Sequence, residues 1–407
     1  MIINFKDKNQ KNLIVYVVVI TAVISFAISG AVFFAWNHFY PGSVTFNTNK
    51  VNTQNVRKFR EVRDILDRNF YKSVDQNKLL EGAIRGMAES LNDPYTVYLN
   101  KEQNKASNER IEGNYVGIGA ILSPNDKEEG IIYEFFEGSP AKAAGLKVGD
   151  KILEVDGRDV SKASNISAYL KGKENTDVKL TVYRPSTNKK YEFTVTRKRI
   201  DIPCVNSEVL EGNVGYIRIL IFDSKVNKEF EASLDALLKK GIKGLIIDLR
   251  GNPGGYLAEV VKIADRLLPE GKIVYTIDRY KNKMVKKSDA KQLKLPLAVL
   301  VNGNSASASE ILAGAVKDFK KGILVGTKTF GKGVVQTPIE FSDGSGLNVT
   351  TSRYYTPSGV CIHGIGIKPN IEVKLDPKYN GASVSLIPRK DDLQLNKAIE
   401  VIKEQFR

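Results

Sequence analysis

The chain has 407 residues and a hydrophobic fraction of 42%, which is ordinary for a globular protein and predicts two or three domains. Two cysteines, Cys204 and Cys361, are too few for a disulfide framework, although the sequence leaves a single bridge between them open. The net charge of +15 comes without an aromatic-basic module or zinc-ligand spacing, which argues against nucleic-acid binding and favours a solvated basic surface, or attraction to anionic lipid or wall polymer.

The first predicted element is a membrane anchor. Leu13–Trp36 is an uncharged apolar run preceded by three lysines, long enough to cross a hydrocarbon core of about 30 Å. It exceeds the ~7–15 residues of a secretory apolar region, and no clear cleavage site follows it. We therefore expect residues 1–12 in the cytoplasm, a single-pass transmembrane helix at 13–36, and a polar tether at 37–55. The rest of the chain would then lie on the extracytoplasmic side of the cell membrane.

Residues 56–112 are predicted to form a helical N-terminal region. Between Val56 and Leu91, apolar residues such as Phe59, Val62 and Leu66 recur at helical spacing. The C-terminal segment 377–407 carries a second amphipathic pattern, which predicts a helix over Asp391–Phe406. These stripes indicate packing, and together they are candidates for a homodimer contact.

Residues 113–199 consist of short β-like runs separated by turns. Ser139–Gly157 reads S-P-A-K-A-A-G-L-K-V-G-D-K-I-L-E-V-D-G and resembles the long signature of PDZ domains. Gly117–Ala120 (G-I-G-A) resembles the carboxylate-binding loop of that α+β fold. Successive amides of Ile118, Gly119 and Ala120 can form a nest for a peptide C-terminus, which makes Gly117 to Ala120 the candidate peptide-binding residues.

Residues 200–376 alternate between strand and helix patterns, which predicts an α/β core with a largely parallel sheet. The predicted strands are Val214–Leu220, Lys243–Leu249, Pro296–Val301, Ile323–Val325 and Val334–Thr337, and the predicted helices are Ser224–Lys240, Tyr256–Leu268 and Ser307–Asp318. In such sheets, functional sites gather at the carboxyl ends of the strands.

A serine-rich turn and a lysine between glycines mark the candidate site. Asn302–Ala315 reads N-G-N-S-A-S-A-S-E-I-L-A-G-A, and Gly326–Gln336 reads G-T-K-T-F-G-K-G-V-V-Q. With only two histidines in the chain, a serine paired with a lysine base is a more natural device than a Ser-His-Asp triad. Two alternatives need weighing. Ser307 and Glu310 also fit a capping box, whereas Gly333 takes the place of the hydroxyl that a P-loop requires, so a nucleotide site is rejected.

Together with two further blocks, Asp248–Gly255 (D-L-R-G-N-P-G-G) and Asn92–Tyr98 (N-D-P-Y-T-V-Y), these stretches resemble the carboxy-terminal processing, or tail-specific, serine peptidases. The resemblance implies a ClpP/crotonase-like peptidase core preceded by a PDZ domain. It also implies site roles: Ser307 as nucleophile, Lys332 as general base, Gln336 as its orienting partner, and the amides of Gly254 and Ala308 as the oxyanion hole.

Two further residues take their interest from the resemblance. Asp318 matches a family acidic position, for which we expect a structural pairing role. Lys171 stands in L-K-G where many relatives carry L-R-G, so it is the candidate gating residue; a lysine keeps the charge but cannot form a bidentate contact.

Two functions follow from different classes. The first is a membrane-anchored serine endopeptidase that cleaves proteins or peptides whose unstructured C-termini bind the PDZ domain. The alternative is a catalytically silent PDZ binding or holding protein on a peptidase scaffold. Neither function requires a metal, a cofactor or a nucleic acid.

Overall fold

The structure is a computed structural model that describes residues 53–123, 130–161, 163, 166–379 and 384–406. The predicted anchor at 13–36 lies outside these residues. Within the described ranges, no helix combines the length and hydrophobicity needed to cross a membrane. The chain divides into two compact units after Leu80.

The helical pattern predicted between Val56 and Leu91 corresponds to two helices. Helix α1 covers Thr53–Asn69 and helix α2 covers Gln76–Glu89. The apolar stripe of α1 stays half exposed, with Phe59 at 50% and Val62 at 49% of their full accessibility. Its apolar residues therefore form an exposed face of this helix.

The segment after α2 leads into a small domain of short strands. The segment begins with β1 (Val97–Leu99) and α3 (Lys101–Glu112). The small domain then contains β2 (Asn114–Gly117), β3 (Ala120–Leu122), β4 (Ile132–Phe135), α4 (Pro140–Ala143), β5 (Lys151–Val155), β6 (Arg158–Asp159), α5 (Ile166–Leu170), β7 (Asp177–Arg184), β8 (Lys189–Thr196) and β9 (Lys198–Asp201). Strands β6-β5-β7-β8 form one antiparallel sheet around a separate apolar core that includes Ile118, Ile152 and Val182. Strands β2 and β9 pair where the chain enters and leaves this domain.

The remaining elements form the core that carries the serine turn. They are β10 (Val205–Leu210), β11 (Val214–Ile219), α6 (Val226–Lys239), β12 (Gly244–Asp248), α7 (Leu257–Leu267), β13 (Gly271–Asp278), β14 (Lys283–Ser288), β15 (Leu297–Val301), α8 (Ala308–Asp318), β16 (Ile323–Gly326), β17 (Val334–Glu340), β18 (Gly346–Tyr355), β19 (Ile371–Glu372) and α9 (Leu393–Glu404). The predicted strands and helices of this region are confirmed to within a few residues at their ends.

The central sheet has the strand order β10-β11-β12-β15-β16-β19, and every neighbouring pair except β10-β11 is parallel. Strands β12 and β15 are buried at every position, as expected for a sheet covered on both faces. Helices α6, α7 and α8 pack on one face, and α9 packs on the other. Because β12 and β15 are parallel neighbours, the loops that follow them meet at one edge of the sheet.

A second sheet lies beside this edge. It has the order β1-β18-β13-β14, with β17 also paired to β18. Strand β17 carries Val334 and Gln336, and strand β1 follows directly after the Asn92–Thr96 block. This sheet therefore brings two distant sequence blocks to the loops of the central sheet.

Candidate active site

The three serines of the S-A-S-A-S turn have different surroundings. Ser305 and Ser309 are fully buried, and their hydroxyls donate to the carbonyls of Leu249 (2.8 Å) and Asn252 (3.0 Å) respectively. Ser307 is only partly buried and lines a cavity of about 680 Å³. The outer serines thus attach the turn to the loop after β12, and the middle serine faces the open space.

Ser307 has a strained backbone, with φ 55° and ψ −113°. A non-glycine residue in this region costs on the order of 1–3 kcal/mol and persists only where its neighbours enforce it. Its N–H donates to the Glu310 carboxylate at 3.0 Å, and its carbonyl accepts from the Tyr354 hydroxyl at 3.1 Å. The following residue, Ala308, begins α8, so Ser307 stands at a helix N-terminus whose free amides favour negative charge.

Glu310 does far more than complete a helix cap. Its carboxylate is fully buried and also accepts the Thr329 hydroxyl (2.6 Å) and the N–H groups of Gly331 (2.7 Å) and Lys332 (2.8 Å). One side chain therefore holds both the backbone of Ser307 and the backbone of the glycine-lysine loop. The sequence indicated only the capping contact, because the contacts to Gly331 and Lys332 depend on the tertiary fold.

The glycine loop after β12 packs directly against the serine turn. Gly254 has φ +104°, and a Cβ there would come within 2.8 Å of Ser307 Cβ and of the Ala306 carbonyl. Gly255 has φ +145°, and a Cβ there would meet the Phe222 carbonyl at 2.1 Å. Both positions consequently require glycine.

The hydrogen bonds of the glycine loop bear on the predicted pair of oxyanion donors, Gly254 and Ala308. The N–H of Gly254 already donates to Asn252 Oδ1 at 2.8 Å, so it is not available to a substrate in this arrangement. Gly255 pairs with Phe222 in a parallel bridge, and within the described residues its own N–H has no acceptor. Gly255 is therefore an alternative candidate to Gly254 as the amide that would act together with Ala308.

A buried ion cluster fixes the beginning of the glycine loop. Arg250 is 1% exposed and donates to both carboxylate oxygens of Asp248 (2.6 Å for the shortest contact) and of Asp392 (2.8 Å). Gln394 and the Tyr216 hydroxyl complete the cluster, at 3.1 Å from Arg250 and 2.7 Å from Asp248. Although burial acts to lower the pKa of Arg250, the two carboxylates raise it, so the guanidinium stays charged.

Lys332 lies at the same cavity as Ser307, without a hydrogen bond between the two side chains in the part of the chain that the structure describes. Within the described residues, its amine has no hydrogen bond to Ser307 or to Gln336; instead, Nζ lies 4.8 Å from the centre of the Tyr95 ring. Burial lowers the pKa of Lys332, while the negative charges of Asp93 and Glu310 oppose that shift. The lysine is thus a partly desolvated amine held against an aromatic face.

Gln336 is also at the cavity, and its amide nitrogen lies 3.4 Å from the Thr350 hydroxyl. A register shift between Val335 and Gln336 occurs in the pairing of β17 with β18. The structure therefore brings Ser307, Lys332 and Gln336 to one cavity, with the two partner side chains turned toward other groups.

The candidate peptide loop of the small domain is partly covered by the chain itself. Ile118 and Gly119 are buried, and a Cβ at Gly117 would lie 2.5 Å from the Tyr115 ring. Burial raises the pKa of Tyr115 to about 12, with a hydrogen bond donated by the Gly119 backbone acting in the opposite direction. The amide nest is therefore next to a neutral tyrosine. Ala120 begins β3 at the edge of this loop.

Lys171 lies next to the same tyrosine. Its amine is 5.3 Å from the centre of the Tyr115 ring and 3.5 Å from the Glu109 carboxylate on α3. The candidate gating residue therefore links the PDZ-like loop to the helix that precedes it.

Asp318 lies away from the cavity, at the end of α8. Its carboxylate accepts the Ser358 N–H at 2.8 Å. Both cysteines are free thiols, so the structure contains no Cys204–Cys361 bridge.

Comparisons with known proteins bear on the family and the fold of this chain. A family model described as "Peptidase family S41" matches residues 213–373, a "PDZ domain" model matches residues 132–184, and an "Activating protease CtpB N-terminal domain" model matches residues 27–103. The solved structure of a putative S41 protease from Bacteroides fragilis superimposes with a TM-score of 0.54 at 18% identity, covering 85% of this chain and 97% of that chain. That likeness concerns the fold.

Two curated relatives are similar over most of their length. A probable CtpA-like serine protease of Staphylococcus aureus (strain N315) is 38% identical over 364 residues, which are 87% of this chain and 72% of the relative. The carboxy-terminal processing protease CtpA of Bacillus subtilis (strain 168) is 36% identical over 370 residues, or 89% and 77% respectively.

Proposed function

The chain belongs to the carboxy-terminal processing serine peptidases of family S41 and is a serine endopeptidase, and we propose that it hydrolyses peptide bonds with Ser307 and Lys332 while anchored to a membrane. The observation that carries the proposal is the strained, partly exposed Ser307 at the N-terminus of α8, facing the same cavity as Lys332. Strain of this kind occurs at nucleophiles that a tight turn exposes to substrate.

In the proposed reaction, Ser307 Oγ attacks the substrate carbonyl and passes its proton to the neutral amine of Lys332. The new carbonyl oxyanion is bound by the N–H groups of Ala308 and Gly255, each such donor contributing about 3–4 kcal/mol. The peptide C–N bond then breaks as the leaving amine takes the proton from Lys332. Water attacks the resulting acyl-enzyme in the same way and regenerates Ser307.

The base must be neutral to act. An unperturbed lysine titrates near 10.4, so work at neutral pH requires a downward shift of roughly 3 units, or about 4–5 kcal/mol of bias against the ammonium form. Partial burial of Lys332 supplies a shift in this direction. In the reacting arrangement we assign Gln336 the role of holding the amine toward Ser307, a contact that requires it to leave Thr350.

Substrate choice would come from the PDZ-like domain. We assign Gly117, Ile118, Gly119 and Ala120 to the C-terminal carboxylate of a protein substrate, with Lys171 as the charge that couples this loop to α3. The ion pair of Lys171 with Glu109 supports this coupling. Asp318 has no role in the proposed reaction.

Anchoring follows from the sequence of residues 13–36, with residues 56–407 on the extracytoplasmic side of the cell membrane. Carbonate extraction of membranes, with and without deletion of residues 13–36, tests this part: release of the full-length chain by carbonate would contradict it. The half-exposed apolar face of α1 supports a homodimer, which analytical ultracentrifugation in detergent would detect.

The catalytic proposal is tested with the full-length chain in detergent and β-casein as an unfolded substrate. Wild type should produce fragments, and Ser307→Ala and Lys332→Ala should lose cleavage while keeping the same thermal unfolding profile. Equal cleavage by Ser307→Ala would contradict the nucleophile. A folded wild type that binds casein without cutting it would favour the PDZ holding protein instead.

A further inference from the structure

The Asn92–Thr96 block lies at the cavity without having a role in the proposed reaction. Pro94 and Tyr95 line the cavity, and β1, which follows the block, pairs with β18. The Thr96 hydroxyl donates to Asp93 at 2.6 Å and accepts the Thr350 N–H at 3.1 Å. The block is therefore fixed to the sheet that also carries Gln336.

Lys332 is turned toward this block, and Gln336 is turned toward Thr350, which is hydrogen-bonded to the block. The amine of Lys332 lies 4.8 Å from the centre of the Tyr95 ring, and Gln336 donates to Thr350. Burial acts to raise the pKa of Asp93, but hydrogen bonds from Thr350 and Thr96 outweigh it and keep the pKa below its usual value. A charged Asp93 therefore accepts a hydrogen bond from Thr350 and acts electrostatically on Lys332.

An aromatic face attracts an ammonium ion and not a neutral amine. Burial and the nearby carboxylates raise the pKa of Tyr95, so the ring remains a neutral phenol at physiological pH. The position over Tyr95 consequently favours the protonated lysine, which is the form that cannot accept a proton from Ser307. The position beside Ser307 requires the opposite protonation state.

We infer that Tyr95 is a positioning residue that holds Lys332 as an ammonium ion away from Ser307 until substrate occupies the cavity. This inference rests on the proposed role of Lys332 as the base. A substrate chain entering the cavity meets Tyr95 and Ser307 in the same space, so its binding competes with the resting contact. Release of the amine then both moves it and removes the stabilisation of its charge.

Several titratable groups surround the contact between Lys332 and Tyr95. The titratable groups near Lys332 come from four elements other than its own loop, and they are Asp93, Tyr95, Glu310, Tyr354 and His363. Asp93 and Glu310 favour the ammonium form in every variant considered, so a change confined to Tyr95 isolates the contribution of the ring.

Competitive acetylation of the full-length chain in a Ser307→Ala background measures this contribution without catalysis. Trace acetic anhydride is applied across a pH series, and the extent of modification at Lys332 is read by mass spectrometry. Replacing the ring by Tyr95→Leu should lower the titration midpoint of Lys332 by about 0.5–1 pH unit, the size expected of one cation–π contact. Tyr95→Phe keeps an aromatic face and should leave the midpoint close to that of the parent.

Lys321 is a matched internal control, because it is also a half-buried lysine whose pKa is lowered by burial, and its amine donates to the Leu293 carbonyl. Its midpoint should stay the same in every variant. Tyr95→Met, which keeps a long apolar side chain, should reproduce Tyr95→Leu. Three outcomes would overturn the inference. They are an unchanged Lys332 midpoint, an equal shift of the midpoint at Lys321, and a shift at Lys332 that occurs in Tyr95→Leu but not in Tyr95→Met.

Catalysis gives a second readout in the Ser307-containing chain. The acidic limb of the kcat/KM profile should move to lower pH in Tyr95→Leu and stay in place in Tyr95→Phe. Full cleavage by Lys332→Ala would refute the proposed base instead, and the acetylation series would still decide whether Tyr95 holds the amine.

Discussion

The two halves of the candidate site differ in how completely they are built. On the nucleophile side, buried hydrogen bonds fix the backbone of Ser307, the glycine loop and the start of α8, and the contributing side chains are almost fully buried. On the base side, the backbone of Lys332 is held equally firmly, but its amine and the amide of Gln336 point to Tyr95 and Thr350.

The difference fits the reaction proposed for the site. Oxyanion donors work best when they are fixed in advance, because they then need no reorganisation as charge develops. A lysine base has to change its protonation state and its position, so it cannot be locked by the same kind of network. Variants of the two halves should therefore differ in the size, and even in the sign, of their effect on stability.

The largest effect is expected at Glu310, which joins the two halves. Glu310→Ala removes the acceptor of three backbone N–H groups and one hydroxyl, and should lower the free energy of unfolding by about 4–5 kcal/mol. Glu310→Gln is the matched control: its amide NH₂ would face N–H donors, so it should recover only part of the loss. Urea unfolding measures both, and wild-type stability in Glu310→Ala would contradict the assignment.

Asp248→Asn should cost about 3 kcal/mol at pH 7, because it removes one charge from the fully buried pair with Arg250. Burial acts to raise the pKa of Asp248, but Arg250 and its hydrogen bonds hold it below the usual value. A lowered pKa in the folded state gives stability that is complete above about pH 4 and is lost as the pH falls further. The gap between wild type and variant should therefore narrow below pH 4 in unfolding experiments at a series of pH values.

Asn252 tests the glycine loop alone. Asn252→Ala loses the bonds to Gly254 N–H and to the Ile219 carbonyl, and should cost about 2 kcal/mol and lower kcat about 100-fold. Asn252→Asp retains the acceptor for Gly254, so it should keep more of kcat than the alanine variant. Equal kcat in the two variants would show that the Gly254 contact does not support the reaction.

The smallest effect on stability is expected at Lys332, on the base side, and it has the opposite sign. A folded-state pKa of Lys332 below its unfolded value makes the lysine destabilising at neutral pH, and this penalty disappears as the pH rises toward about 10.4. Lys332→Met should therefore abolish cleavage but raise the melting temperature at pH 7 by on the order of 1–2 °C. Calorimetry at pH 7 and pH 10 would measure it, and a lower melting temperature at pH 7 would contradict it.

Much of the core could be predicted from the sequence, because buried parallel strands such as Leu297–Val301 are continuous apolar runs and the glycines mark the loops between elements. The Asp248–Gly255 loop and the serine turn follow β12 and β15, two neighbouring parallel strands, and therefore meet at the carboxyl ends of the strands, where such sheets are expected to carry their sites. Contacts across long sequence distances could not be predicted. Nothing near Tyr95 in sequence indicates that its ring faces Lys332, and the serine turn alone does not reveal that Glu310 also binds Gly331.

The choice between Gly254 and Gly255 shows a further limit. Both glycines fit a loop that approaches another backbone closely, and their sequence positions differ by one residue. They differ in the structure because the Asn252 side chain accepts the N–H of Gly254 and leaves that of Gly255 without this bond. The position of the Tyr115 ring could not be predicted either. Tyr115 is an aromatic residue in a strand, two positions before Gly117, and nothing in the sequence indicates that its ring lies against the loop.

The ion pair between Arg250 and Asp392 joins residues that are 142 positions apart. A ribosome adding roughly 5–20 residues per second needs on the order of 10–30 s to bridge that distance. During this interval the growing chain already carries the guanidinium, and the carboxylate that completes its cage has not been made. We therefore expect the glycine loop to reach its final arrangement only after α9 has been made and has docked, so that activity of the peptidase arises late in its folding.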